Sequence, residues 1–208
     1  LLGREIGTWF AQLHRAEGVE LVLGQTAAQI HGDGRVEVVT LDDGRHLEAD
    51  HVLVAIGVVP DLDWVVAAGL PAGGIPTDEE GRSGFTDIYA AGDAAAFYDP
   101  FLERHQPSGH WESAGRQGAA VASAIVGRPP GTAGLSSFWS DQYGVRIQYL
   151  GHAHLADRVS VEGDPDARDF VAVYMRGREP VAALIVGRPK ALAELRDRLR
   201  YITERTAA

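Results

Sequence analysis

The chain has 208 residues, room for one or two domains, and its 45% hydrophobic and 23% charged content is ordinary for a globular protein. A formal charge of −10 lacks the basic footprint with which a nucleic-acid binder replaces counterions. Zero cysteine excludes disulfide staples, thiolate nucleophiles and Cys-ligated zinc or iron–sulfur clusters within these residues, and no apolar run reaches the roughly 18 residues of a membrane span. The start, LLGREIGTWF, has an acid and no small-residue cleavage site, so no secretory signal is expected; with the lack of cysteine this fits a cytoplasmic protein.

Residues 4–17, REIGTWFAQLHRAE, place Ile6, Trp9, Phe10 and Leu13 at helical spacing and run into Gly18, which predicts an amphipathic helix. Short strands are expected next: VELVL (19–23), then TAAQIH, RVEVVTL and RHLEA, with GDG (32–34) and DDG (42–44) as hairpin turns. HVLVAIG (51–57) is almost wholly apolar and reads as a strand buried on both faces, as in a parallel sheet. The Pro- and Gly-rich stretch 57–76 reads as a crossing between domains with a short helix near 62–68. A strand at 87–92, an irregular loop at 95–109 and an Ala- and Gly-rich helix at 110–127 follow, the last stopped by GRPPG (127–131).

Beyond that break the texture changes. FWSDQYGVRIQYLGH (138–152), DRVSVEG (157–163), RDFVAVYMRG (168–177) and EPVAALIVG (179–187) read as four alternating strands. In the closing helix, 188–205, Leu192, Leu195, Leu199 and Ile202 form one apolar stripe. The chain divides near 1–56, 57–131 and 132–208. The third piece reads as a whole α+β unit with an antiparallel sheet, and the first two as back halves of α/β units.

The segment SGFTDIYAAGDAAAF (83–97) carries the chemistry. A run of small residues lets a ligand approach the backbone, Gly92 removes a Cβ at its end, and Asp93 offers two acceptor oxygens to hydroxyl groups, as a ribose or ribityl chain would need. The same aspartate could simply cap a turn or helix.

The pattern T-D-I-Y-A-A-G-D resembles the second FAD-binding motif of the pyridine-nucleotide-disulfide oxidoreductase superfamily. VLVAIGVVPD (52–61) resembles the strand by which that family leaves its NAD domain, and HWESAGRQG (110–118) the helix start beneath the flavin. Phe-Trp-Ser-Asp-Gln (138–142) is similar to a hallmark of the ferredoxin-reductase branch. The family's two G-x-G-x-x-G motifs do not occur here. The resemblance therefore implies the C-terminal part of such an enzyme: 1–56 from the NAD(P)-binding domain, 57–131 from the FAD-binding domain, both incomplete Rossmann-like units, and 132–208 as the reductase C-terminal domain.

The implied reaction passes electrons from NAD(P)H through FAD to a ferredoxin or related small iron–sulfur carrier, with no membrane or nucleic acid involved. No side chain is expected to act as catalytic acid, base or nucleophile, because the flavin does the chemistry. The resemblance implies Gly92, Asp93, Trp111, Gln117 and Trp139 as FAD contacts, and Ala55, Ile56, Gly57 and His110 as contacts of the pyridine nucleotide. Gly109 departs from the family, which carries an acid two positions before the tryptophan of that helix start. No metal site is expected: His152 and His154 are two apart without a third ligand. Two alternatives stay open: another flavin disulfide-type enzyme such as an NADH oxidase, and a non-catalytic interaction or homodimerisation module. Because half the cofactor cradle is missing, the piece alone is expected to be inactive and to hold FAD weakly.

Overall fold

The computed structural model describes residues 2–69, 71, 73–99, 103–107, 109–129 and 135–206. The chain divides into two compact units, residues 5–59 and residues 60–208 joined by the first four. Among the described residues no helix is long and apolar enough to cross a membrane.

In the smaller unit, α1 (Gly3–Ala16) buries Ile6 and Leu13 of the expected stripe. It stops at Gly18, in the left-handed region at φ 84°. Gly18 N–H donates to Arg15 O and Val19 N–H to His14 O, both at 3.0 Å, the paired bonds that satisfy the last carbonyls of a helix. β1 (Ala27–His31), β2 (Val38–Leu41) and β3 (His46–Glu48) form the expected antiparallel meander. Gly32 is required in its first turn, since a Cβ there would lie 1.7 Å from Arg35 O.

Two expected strands of this unit do not form. Residues 19–23 are irregular, with Leu23 exposed. Residues 51–57, expected to be buried on both faces, pair with no described strand and lie open: Leu53 is 91% and Ile56 92% exposed. Apolar, β-branched composition makes a strand only where another strand supplies hydrogen bonds and a packing face.

In the larger unit, α2 (Asp63–Ala67) packs on β4 (Ile75–Thr77) and β5 (Ala95–Asp99). Leu62, Val65, Ile75, Ala90 and Ala95 form that small core. β4 and β5 are parallel, and β6 (Arg104–Gln106) returns antiparallel to β5, so the expected loop at 95–109 is largely a hairpin. The expected strand at 87–92 is absent. Asp87 (φ 61°) and Gly92 (φ 70°) are left-handed at its two ends, and between them only Tyr89 bridges, to Arg82.

α3 (Trp111–Ile125) begins after His110 and ends at left-handed Gly127. Pro130 and Gly131 of the expected break lie outside the described residues. The C-terminal sheet has five strands, not four, in the order β7-β8-β11-β10-β9. They are β7 (Ser137–Gln142), β8 (Val145–Gly151), β9 (Arg158–Asp164), β10 (Asp169–Arg176) and β11 (Glu179–Val186), all antiparallel. The extra strand arises because Tyr143 (φ 52°) and Gly144 (φ 75°) are both left-handed, the backbone of a two-residue hairpin turn matched to strand twist. α4 (Ala191–Thr206) lays Leu195 and Leu199 on Leu150, Val171, Val173, Ala183 and Ile185, with Leu192 at the margin. The side chain of Ile202 lies outside what is described.

Candidate functional site

Gly92, Asp93 and Ala94 form a single 3-10 turn between the extended Ala91 and β5. Left-handed backbone at Gly92 is what glycine allows at little cost, and a Cβ there would meet only Ala114 of α3, at 3.7 Å. The Gly92 N–H donates to Gln117 Oε1 at 2.8 Å, so the turn is tied to α3. Gln117 is buried and spends its side-chain oxygen on this bond. Asp93 is exposed, and its carboxylate makes no hydrogen bond or ion pair among the described residues. It does not cap α3, whose N-cap position is His110 with no side-chain cap bond.

Helical spacing puts Trp111 one turn before Ala114 on the same side of α3. Trp111 is 83% exposed, and its ring lies edge-to-face against Trp139 with centroids 6.1 Å apart and planes at 81°. On the open side of the helix, Gly115 and Gly118 are exposed with nothing near a would-be Cβ.

The start of α3 straddles β7, an edge strand. Alternation along the strand sends Ser137 and Trp139 to one face and Phe138 to the other. On the Phe138 face, His110 stacks at 5.4 Å, and Phe138 in turn stacks on Tyr149 at 4.8 Å. On the Trp139 face, Ser137 Oγ donates to Glu112 Oε2 at 2.5 Å. The same carboxylate faces Arg116 Nη1 at 3.4 Å and Arg196 Nη2 at 4.0 Å. Burial lowers the pKa of Arg116 from the ordinary arginine value, with Glu112 opposing and Arg196 adding to the shift. A cleft of about 220 Å³ opens beside this cluster, lined by Glu112, Ser137, Trp139, Arg146, Gln148 and Arg196 among others.

Gly109 is left-handed at φ 60°, a conformation that glycine adopts at little cost. Ala55, Ile56 and Gly57 belong to the smaller unit and lie exposed in its irregular stretch, Gly57 at φ 102°. His152 precedes the 3-10 turn Ala153–Leu155 and His154 lies within it, with rings 5.8 Å apart. Among the described residues no group of three or more His, Asp or Glu is placed to hold a metal. The structure thus joins Gly92 directly to Gln117, and Trp111 to Trp139. Glu112 and Ser137 were not singled out by the sequence. Their meeting depends on residues 25 apart, which no local spacing announces.

Residues 1–118, more than half of the chain, match the family described as pyridine nucleotide-disulphide oxidoreductase. The chain belongs to that family. Residues 137–207 match a second family description, reductase C-terminal. The 5,5'-dehydrodivanillate O-demethylase ferredoxin reductase subunit of a Sphingobium species is 35% identical over 192 residues, covering 90% of this chain and 47% of that protein. Putidaredoxin reductase CamA of Pseudomonas putida is 30% identical over 207 residues, covering 96% and 48%. The crystal structure of the covalent putidaredoxin reductase–putidaredoxin complex superimposes with a TM-score of 0.88 at 28% identity, covering 94% of this chain and 48% of that one. The chain therefore spans about half the length of the relatives it matches.

Proposed function

We propose that this chain forms one wall of the flavin site of an FAD-dependent reductase that moves electrons from NAD(P)H to a ferredoxin-type iron–sulfur protein, in a cytoplasmic setting. The observation that carries the reading is Asp93: an exposed carboxylate with no partner among the described residues, on a turn whose glycine amide is already bonded to α3. Its two acceptor oxygens, held on a fixed backbone, complement the O–H donors of a polyhydroxyl chain. The open indoles of Trp111 and Trp139 suit a planar ring, and exposed Gly115 and Gly118 leave room for one to lie close to the helix.

FAD, when bound, supplies hydride acceptance and single-electron donation. The chain's own residues bind and orient. Asp93 accepts hydrogen bonds from ribityl hydroxyls, Gly92 and Gln117 hold that turn in place, and Trp111 and Trp139 shield the ring from water. Ala55, Ile56, Gly57 and His110 border the pyridine nucleotide. The three-part division at 56 and 131 is the domain organisation this reading implies. Family membership, and relatives named as ferredoxin reductases, support it.

The test titrates FAD into the chain and follows flavin fluorescence anisotropy. Weak, saturable binding is expected, and Asp93→Ala weakens it about tenfold, the worth of a hydrogen bond to a charged group. Equal binding by the variant, or no saturable binding at all, overturns the assignment.

A second reading, an association module, is favoured by one observation: the open apolar run 51–59, with Val58 and Val59 as exposed as Leu53 and Ile56 are.

A further inference from the structure

Glu112 is one residue past Trp111, in the first turn of α3. Ser137, its hydrogen-bond partner, is two residues before Trp139, on the same face of β7. The Ser137–Glu112 bond therefore closes a short ring of links whose far side is the indole pair. Ser137 is 4% exposed, so its hydroxyl has little water to turn to if the carboxylate is lost. Arg116 from one turn further along α3 and Arg196 from α4 face the same carboxylate, so α3, β7 and α4 converge on Glu112. Trp111, by contrast, is mostly in the open and has Trp139 as its aromatic neighbour.

We infer that Glu112 is a positioning residue: through Ser137 it sets the edge-to-face angle of Trp111 on Trp139, and so the shape of the aromatic wall. The inference rests on the proposed flavin site for its functional meaning, but its geometry stands without the cofactor.

Two indoles held edge-to-face give an exciton couplet in the far-ultraviolet circular dichroism, and this can be read on the chain alone. The native chain is expected to show the couplet, and Trp111→Phe to abolish it. Ser137→Ala and Glu112→Ala should each reduce it by more than half. Glu112→Gln retains an acceptor for Ser137 and should restore most of it. If Glu112→Ala does not fold, Ser137→Ala decides, since it removes one hydroxyl and no volume that the core needs. A native spectrum without the couplet, a couplet that survives Trp111→Phe, or one unchanged in Ser137→Ala overturns the inference. Failure to bind flavin would sink the proposed site and leave this result untouched.

Discussion

Gln117 Oε1 accepts the amide hydrogen of Gly92 at 2.8 Å, and this one bond ties the turn that bears Asp93 to the body of α3. Gln117→Leu keeps the buried volume and removes the acceptor, leaving a partly buried N–H unpaired. The expected loss is about 1–3 kcal/mol in unfolding free energy, read from the midpoint of urea denaturation. An unchanged midpoint would mean that water replaces Gln117 at no cost.

Gly151 ends β8 in the left-handed region at φ 84°, and a Cβ there would lie 2.3 Å from Val181 O. Both the backbone and the steric term act against any side chain. Gly151→Ala is expected to cost about 3 kcal/mol or more. Gly144 is also left-handed but has open space around a would-be Cβ. Gly144→Asn should cost less than about 1 kcal/mol, since asparagine tolerates that conformation. Thermal melts of the two variants side by side check the contrast.

Burial lowers the pKa of His152 below its usual 6.5. Asp99, whose Oδ2 is 3.7 Å from His152 Nε2, pulls upward without overcoming burial, while His154 and Arg104 add to the lowering. A base whose folded pKa is depressed contributes stability above its unfolded pKa and loses it as pH falls through the folded value. The melting temperature is therefore expected to fall as pH drops below about 6.5, and His152→Gln to flatten that part of the profile. A profile as steep in the variant as in the native chain would assign the loss to other groups.

The open run 51–59 should drive self-association as concentration rises, followed by multi-angle light scattering. Leu53→Lys with Ile56→Lys is expected to shift the population toward monomer. Because both side chains are almost fully exposed, unfolding free energy should change by no more than about 0.5 kcal/mol. A native chain that stays monomeric at high concentration removes the association reading.

The elements that the sequence made legible are those whose signals are local. Helical periodicity ending at Gly18 placed α1, turn glycines placed the meander, and the leucine stripe placed α4. Strands that depend on distant partners were not legible. Residues 51–57 have strand composition but pair with no strand among the described residues, and 87–92 are interrupted by left-handed residues at both ends. β5 and β6 were missed because their runs are short, AAFYD opening on two alanines and RHQ holding no apolar residue. The β7–β8 hairpin was missed because Tyr143 in a left-handed turn is an unusual choice beside glycine. At the candidate site, Gly92 and Gln117 were named separately, but their hydrogen bond was not foreseeable from spacing. Glu112 lies inside the 110–118 motif but was given no role there, and Ser137 stands just before the 138–142 motif.

The pairing pattern of the C-terminal sheet also bears on how fast it assembles. Of the ladders in the order β7-β8-β11-β10-β9, only β8–β11 joins strands that are not neighbours along the chain. The other pairings close over short connections, the tightest being the two-residue turns Tyr143–Gly144 and Gly177–Arg178, so little chain entropy is lost before contacts form. The sheet should collapse as two preformed ribbons, β7–β8 and β9–β10–β11, with their docking as the slow event. Substitutions in the β8–β11 seam, such as Leu184→Ala, should then slow refolding more than equally costly ones at β9.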